Sequence, residues 1–299
     1  MHTQTTPEQW LSQGHYSQYR GHQLFYRHEG QGEALVCIHG YPTASWDWVK
    51  LWPQLTQHFE VVAPDMIGFG FSAKPYRYAY SILDQATLHE NLLKQLGITQ
   101  VHILAHDYGD TVAQELLARY EDRRRYGSQA TGLSIKSICF LNGGLFPETH
   151  HAKPIQHLLQ SPVGFLLVRL YGEAKFRKTF QGIFGKNTPP SEEEYQHFWA
   201  LITREGGKNI LHKLIGYMRE RKRYRERWVG ALVNTQIPLR VIDGAADPVS
   251  GAHMVARYKA LVPNPDTILL PEIGHYPQVE APEAVWEAFW AFVAPHLQG

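Results

Sequence analysis

Residues Val101 to Ala113 read Val-His-Ile-Leu-Ala-His-Asp-Tyr-Gly-Asp-Thr-Val-Ala, and no other stretch constrains the chain as much. The apolar run Val101–Leu104 has strand character and leads into a small residue, Ala105. After Gly109, the residues Val112, Leu116 and Leu117 recur on one helical face. A strand that turns into a helix this abruptly forces the middle residue of the turn into strained geometry. Small residues two before and two after it avoid clashes, as in the nucleophile elbow Gly-x-Ser-x-Gly. Here the first glycine is Ala105 and the serine position holds Asp107. A carboxylate can act as a covalent nucleophile. An Asp can also cap an ordinary strand–helix turn, so the rest of the chain has to decide between the two.

Bulk properties narrow the classes. A chain of 299 residues with 43% hydrophobic content suits one large α/β domain, or such a core with a smaller insertion. The net charge of +1 gives no long-range field that would favour nucleic acid or an anionic membrane. Only two cysteines occur, Cys37 and Cys139, each in an apolar run, so buried free thiols and a reducing cytoplasm are expected. Met1–Gln9 lacks the build of a signal peptide. No stretch approaches the roughly 18 apolar residues that span a bilayer.

Read in order, the chain alternates strands and helices. Tyr16–Tyr19 and Gln23–His28 form an opening hairpin around Arg20-Gly21, followed by strands Ala34–Ile38 and Val61–Ala63. Between those strands Trp46 to Phe59 reads as helical, broken or kinked at Pro53. The helix Ser81–Leu96 stops at Gly97, and Ile135–Leu141 is a further buried strand ending at Asn142-Gly143-Gly144. This spacing predicts a parallel sheet. From Phe146 to Gly230 the pattern turns helical, with many aromatic and basic residues and no convincing strand. The rhythm resumes with strand Leu239–Ile242, helix Ala252–Leu261 and strand Thr267–Leu270. An all-helical lid inserted into an α/β sheet is expected: core over residues 1–144 and 232–299, cap over 145–231. Pockets in such sheets form at the carboxyl ends of the strands.

Three polar groups fall at those ends, in the order Asp107, Asp247, His275, which is the nucleophile–acid–base order of this architecture. The position after Ile135–Leu141, another home for the acid, holds Asn142, which leaves Asp247. His39-Gly40-Tyr41-Pro42 lies where a second backbone donor is needed, so the Tyr41 and Tyr108 amides would form an oxyanion hole. His39, Pro42 and His106 are placed around the substrate pocket. Asp65 reads as a turn brace and Asp110 as a helix-terminal charge. His102 and His106 have metal-like spacing, but four strand residues put them about 13 Å apart, too far to share one zinc. His150-His151 has no ligand pattern. The basic run Arg219–Arg227, interrupted by Glu220 and Glu226, reads as a solvated helix face.

With these residues placed, the chain resembles the α/β-hydrolase fold, in its epoxide hydrolase and haloalkane dehalogenase branch, over nearly its whole length. His106-Asp107-Tyr108-Gly109, His39-Gly40-Tyr41-Pro42 and Gly274-His275 carry the resemblance. Dehalogenases of this branch place Trp after the nucleophile and often Asn after His-Gly to hold the halide. Tyr108 and Tyr41 stand there instead. Epoxide hydrolases share His-Gly-x-Pro and use lid tyrosines on the epoxide oxygen, one about thirty residues before the acid. Tyr217 lies 247 − 217 = 30 residues before Asp247, and Tyr171 is the candidate for the second. The resemblance implies attack by Asp107 on an epoxide carbon, an alkyl-enzyme ester, and its hydrolysis by water that His275 activates, with Asp247 holding His275. The substrate is then small and apolar, water is the co-substrate, and no metal or organic cofactor takes part. Haloalkane hydrolysis is the nearest alternative. A catalytically silent fold serving as a binding protein is the alternative of another class.

Overall fold

The computed structural model describes residues 5–127, 132–149, 161 and 164–297. Eight strands form one sheet: β1 His15–Tyr19, β2 His22–Glu29, β3 Glu33–Ile38, β4 Phe59–Pro64, β5 Gln100–His106, β6 Ser134–Leu141, β7 Leu239–Gly244 and β8 Asp266–Leu270. Their order across the sheet is β1-β2-β4-β3-β5-β6-β7-β8. The β1–β2 and β2–β4 pairs are antiparallel, and every pair from β4 to β8 is parallel. Arg20 and Gly21, both at positive φ, make the two-residue turn between β1 and β2.

The middle strands are apolar because helices cover both faces of the sheet. Leu35–Ile38, Ile103–Ala105 and Ile138–Leu141 are fully buried. The helix Ile82–Gln95 opens on the Ser81 hydroxyl, which accepts from the Asp84 N–H, and ends before Gly97 at φ +77°. Pro53 breaks the stretch as expected, and the reason is local. A short 3-10 turn, Ser45–Trp48, precedes the helix Trp52–His58, and Pro53 sits in that helix's first turn, where no N–H partner is needed.

Between β6 and β7 the described residues contain helices and no strand. Residues 150–160, 162 and 163, including His150-His151, lie outside the described set. The helices Glu173–Gln181 and Glu192–Thr203 share an aromatic cluster of Phe176, Phe180, Phe184 and Phe198. That cluster continues onto the core: Phe180 packs against Tyr276 at 5.0 Å, and Phe184 stacks on Tyr276 at 5.1 Å. The helix Arg225–Asn234 spans residue 231. One expectation needs correction, because the basic run is not one solvated face. Arg221 is buried, and Arg227 reaches the elbow helix Tyr108–Tyr126, pairing with Glu115 and Asp122. Trp228 donates to the same Glu115, a buried carboxylate invisible in the cap's own sequence. Among the described residues no helix is long and apolar enough to cross a membrane.

Candidate active site

The elbow has the strain its sequence implies. Asp107 sits at φ 48°, ψ −103°, a conformation that L-residues adopt only when the surroundings impose it. Gly109 explains why: a Cβ there would lie 2.2 Å from the Ile38 carbonyl oxygen, because β3 and the start of the elbow helix nearly touch. The Asp107 N–H donates to the Leu141 carbonyl at 3.2 Å, tying the turn to the end of β6. The side chain is then presented at the carboxyl edge of the sheet, and its Oδ2 accepts the Tyr41 N–H at 3.1 Å.

His275 and Asp247 arrive from the ends of β8 and β7. His275 Nδ1 is 2.7 Å from Asp247 Oδ2, and Nε2 is 4.0 Å from Asp107 Oδ2. The first is a short charge-assisted hydrogen bond; the second is beyond direct bonding. Asp247 Oδ1 accepts from the Val249 N–H at 2.7 Å, and Oδ2 accepts from the Ser250 hydroxyl at 2.9 Å and Asn142 Nδ2 at 3.1 Å. Asn142 is itself fixed on Gly244, with Nδ2 donating to the carbonyl and Oδ1 accepting the N–H at 2.7 Å. Asn142, at the end of β6, therefore holds the carboxylate that follows β7.

Electrostatics follow from this burial. Burial alone would raise Asp247, but the His275 charge and the hydrogen bonds bring it down to about 2. Burial alone would lower His275, and the negative charges of Asp247 and Asp107 overcome it, raising the imidazole to about 9. Asp107 lies below the usual carboxylate range: burial opposes ionisation, and the charges of His275 and Arg221 more than offset it. In the free protein the three groups form an ion cluster, imidazolium between two carboxylates.

Several expected residues hold other positions. His39 is fully buried, its Nδ1 donating to the Gly40 carbonyl at 2.9 Å and its Nε2 accepting the Met66 N–H at 3.1 Å. It braces the turn that aims Tyr41 rather than offering a nitrogen to a pocket. Pro42 follows a cis peptide bond in that same turn. His106 Nε2 donates to the His275 carbonyl at 2.7 Å, and burial lowers its ring to about 3, so it is a neutral strut behind the catalytic loop. Asp65 braces its turn by accepting the Ser45 and Phe71 amides. Asp110 is not an exposed helix-end charge. It is fully buried, burial pushes its carboxyl well up, and it fills the space beside Gly143, where a Cβ would meet Oδ2 at 1.9 Å.

Helices between β6 and β7 pack onto this end of the sheet. Tyr217 is buried with its ring 4.9 Å from Tyr108, the neighbour of Asp107, and 6.0 Å from Tyr41. Tyr108 is buried with it. The Tyr171 ring packs on Trp199 at 6.4 Å. Two residues escaped the sequence reading. Arg221, one turn beyond Tyr217, donates from Nε to Thr111 Oγ1 at 2.7 Å and from Nη2 to the Asp107 carbonyl at 2.9 Å, with Nη2 3.5 Å from Asp107 Oδ1. Glu280 accepts from the Gly185, Gly274 and Tyr276 amides and from the Thr188 hydroxyl, stapling the cap onto the His275 loop. Glu280, five residues after His275, had no signal beyond its charge. Arg221 had one, the i, i+4 spacing from Tyr217.

The mostly parallel sheet covered by helices, with Asp107 at a strained turn between strand and helix, has the order of an α/β hydrolase. The family model for the alpha/beta hydrolase fold matches residues 33–282, and the chain belongs to that family. Among curated relatives, the mesoderm-specific transcript protein of Mus musculus is 39% identical over 95% of this chain and 87% of its own length. Two solved structures share the fold: epoxide hydrolase CorEH, at TM-score 0.77 and 20% identity over 94% of this chain and 98% of its own, and haloalkane dehalogenase DbeA of Bradyrhizobium elkani USDA94, at TM-score 0.77 and 22% identity over 95% and 98%.

Proposed function

We propose that the protein is a hydrolase with Asp107 as a covalent nucleophile, and that its substrates are epoxides, converted to vicinal diols. The observation that carries the reading is the placement of Asp107: an ionised carboxylate on a strained elbow, one oxygen on the Tyr41 amide and 4.0 Å from His275 Nε2, with the Tyr217 ring packed nearby. An ionised carboxylate needs no base to attack carbon. As its oxygen forms a bond to the epoxide carbon, the C–O ring bond breaks, its electron pair goes to the ring oxygen, and Tyr217 gives that oxygen a proton.

The ester that results has lost the Asp107 charge. His275 was held protonated in part by that charge, so esterification lowers its affinity for a proton and turns it into a general base. It deprotonates water, the hydroxide adds to the ester carbonyl, and the Tyr41 and Tyr108 amides carry the oxyanion. Collapse breaks the ester C–O bond, the departing alkoxide takes the proton that His275 removed from water, and the diol is released. The proton freed as Asp107 returns to carboxylate restores Tyr217. Asp247, fixed by Asn142 and Ser250, keeps His275 in the tautomer with Nε2 toward the ester. Haloalkanes would pass through the same ester, with halide leaving. Tyr108 and Tyr41 at the halide-holding positions favour the oxygen electrophile.

The test is a single turnover in H2(18)O with enzyme in excess over styrene oxide and cyclohexene oxide. An unlabelled first diol with label in the Asp107 peptide supports the ester. Label entering the first diol directly removes Asp107 as nucleophile. Turnover of 1-bromohexane with none of the epoxides moves the assignment to dehalogenation.

A further inference from the structure

The epoxide reading, on which this inference rests, calls for two hydrogen-bond donors on the ring oxygen, and Tyr217 is one. Tyr171 packs its ring on Trp199, and no ring contact joins it to Tyr217, Tyr41 or Tyr108 among the described residues. Arg221 lies four residues after Tyr217, on the same helical face, with its guanidinium 4.6 Å over the Tyr217 ring. Its Nε–Nη2 edge is spent on the elbow, on Thr111 and on the Asp107 carbonyl. Its Nη1 is buried and has no acceptor among the described residues. A buried, charged donor without an acceptor is a costly group to keep, unless a ligand supplies the acceptor.

The movement of charge during ring opening says which ligand. Before attack the negative charge sits on Asp107, 3.5 Å from Nη2. Attack removes that charge and places it on the ring oxygen, two carbon atoms beyond the new ester bond. A guanidinium facing both places keeps a partner throughout, whereas a permanent cation left against a neutral ester in a buried site would not. We propose that Arg221 is the second donor to the leaving oxygen, Nη1 pairing with Tyr217 to hold the ring oxygen as it takes up charge. The roles are divided. Arg221 stabilises the charge with its planar fork of donors, and the Tyr217 O–H proton is the one transferred. The electrophiles selected are those whose leaving oxygen stays tethered beside Asp107, strained cyclic ethers above all.

The test separates the two half-reactions of the full-length protein with styrene oxide: the rate at which the Asp107 peptide gains mass, and the rate at which preformed ester is lost. Arg221→Met is expected to slow ester formation about 10²-fold, the effect of removing one oxyanion donor, and to leave ester hydrolysis within about threefold. Arg221→Lys is expected to recover part of the first rate. If both half-reactions slow together and Lys rescues neither, Arg221 is only a latch between cap and elbow and the proposal fails. If Arg221→Met does not fold, Arg221→Lys alone decides, since it keeps the charge and loses the planar fork: ester formation at the wild-type rate overturns the proposal. Should the wild type form no ester with epoxides, the epoxide reading falls, and this inference with it. Wild-type ester formation that Arg221→Met leaves intact sinks the inference alone.

Discussion

The two sides of the site are built differently. On the core side Asp107, Asp247 and His275 project from the ends of three parallel strands whose spacing hydrogen-bonded ladders set. Each is held by backbone amides or by groups anchored to the backbone: Asp247 by Val249, Ser250 and Asn142, His275 through its own carbonyl by His106. On the cap side Tyr217 and Arg221 ride on one seven-residue helix, Tyr217–Arg223, whose place depends on side-chain anchors alone: Arg221 on Thr111, Glu220 on the Ile82 amide, and aromatic packing. Burial raises Glu220 to about 7, so that anchor is only partly ionised near neutral pH. The core side is held by the sheet, and the helix Tyr217–Arg223 is docked onto it. On the proposed mechanism the same division would separate the chemistry, with ester hydrolysis on the core side and ring opening on both sides together.

The sharpest way to break this comparison is to remove a core-side residue. Asp107→Asn is expected to lower kcat by more than about 10⁴-fold, the scale at which loss of a nucleophile acts, with Tm nearly unchanged; activity surviving at a tenth of wild type would mean the elbow is structural. His275→Gln should leave ring opening intact and halt hydrolysis, so the ester accumulates on Asp107 and intact mass rises by the substrate's mass after one turnover. A cap-side residue should act the other way. Tyr217→Phe is expected to slow ester formation by about 10²- to 10⁴-fold while preformed ester is lost at the wild-type rate, read by the same mass measurement. If Tyr217→Phe also slows hydrolysis, the two sides are not separable.

Two smaller effects sharpen the account of charge. In the free enzyme His275 is held up to about 9 by Asp247 and Asp107, and the ester lacks one of those charges. The acid limb of kcat should therefore lie at lower pH than the His275 titration of the free enzyme followed by NMR. Coincidence of the two would refute the switching of the imidazole by esterification. For stability the sign is set by the same shift. A histidine whose folded value exceeds the ordinary 6.5 contributes stability that is complete below about 6.5 and lost as pH rises through about 9. Asp247→Asn removes the main cause, so its Tm should fall less than the wild type's between pH 7 and pH 10. An unchanged alkaline loss in that variant would place its origin elsewhere.

The residues legible in sequence share one property, that local geometry demands them. The elbow needed Ala105 and Gly109 around Asp107 because β3 passes within contact of the turn. The strand ends bearing Asp247 and His275 followed from apolar runs bounded by turn residues. Tyr217 was visible only through family resemblance, and Arg221 read as one solvated arginine among several. Its burial is a consequence of the cap helix docking over the elbow, a contact 114 residues away in sequence. The full burial of Asp110 and His39 was hidden for the same reason, because periodicity says which face a residue occupies but not what closes over it.

The sequence alone was enough for the α/β order of elements, the tight turn at Asp107 and the placement of Asp247 and His275 after later strands, because those depend on short-range patterning and on backbone sterics. The three-dimensional packing was needed to show that Asn142 and Ser250 hold Asp247, that Glu280 ties Gly185 and Thr188 to the His275 loop, and that the buried Arg221 guanidinium lies against Asp107. Those are meetings of polar groups brought in from distant segments, and burial there makes each hydrogen bond expensive to lose, which no local pattern records.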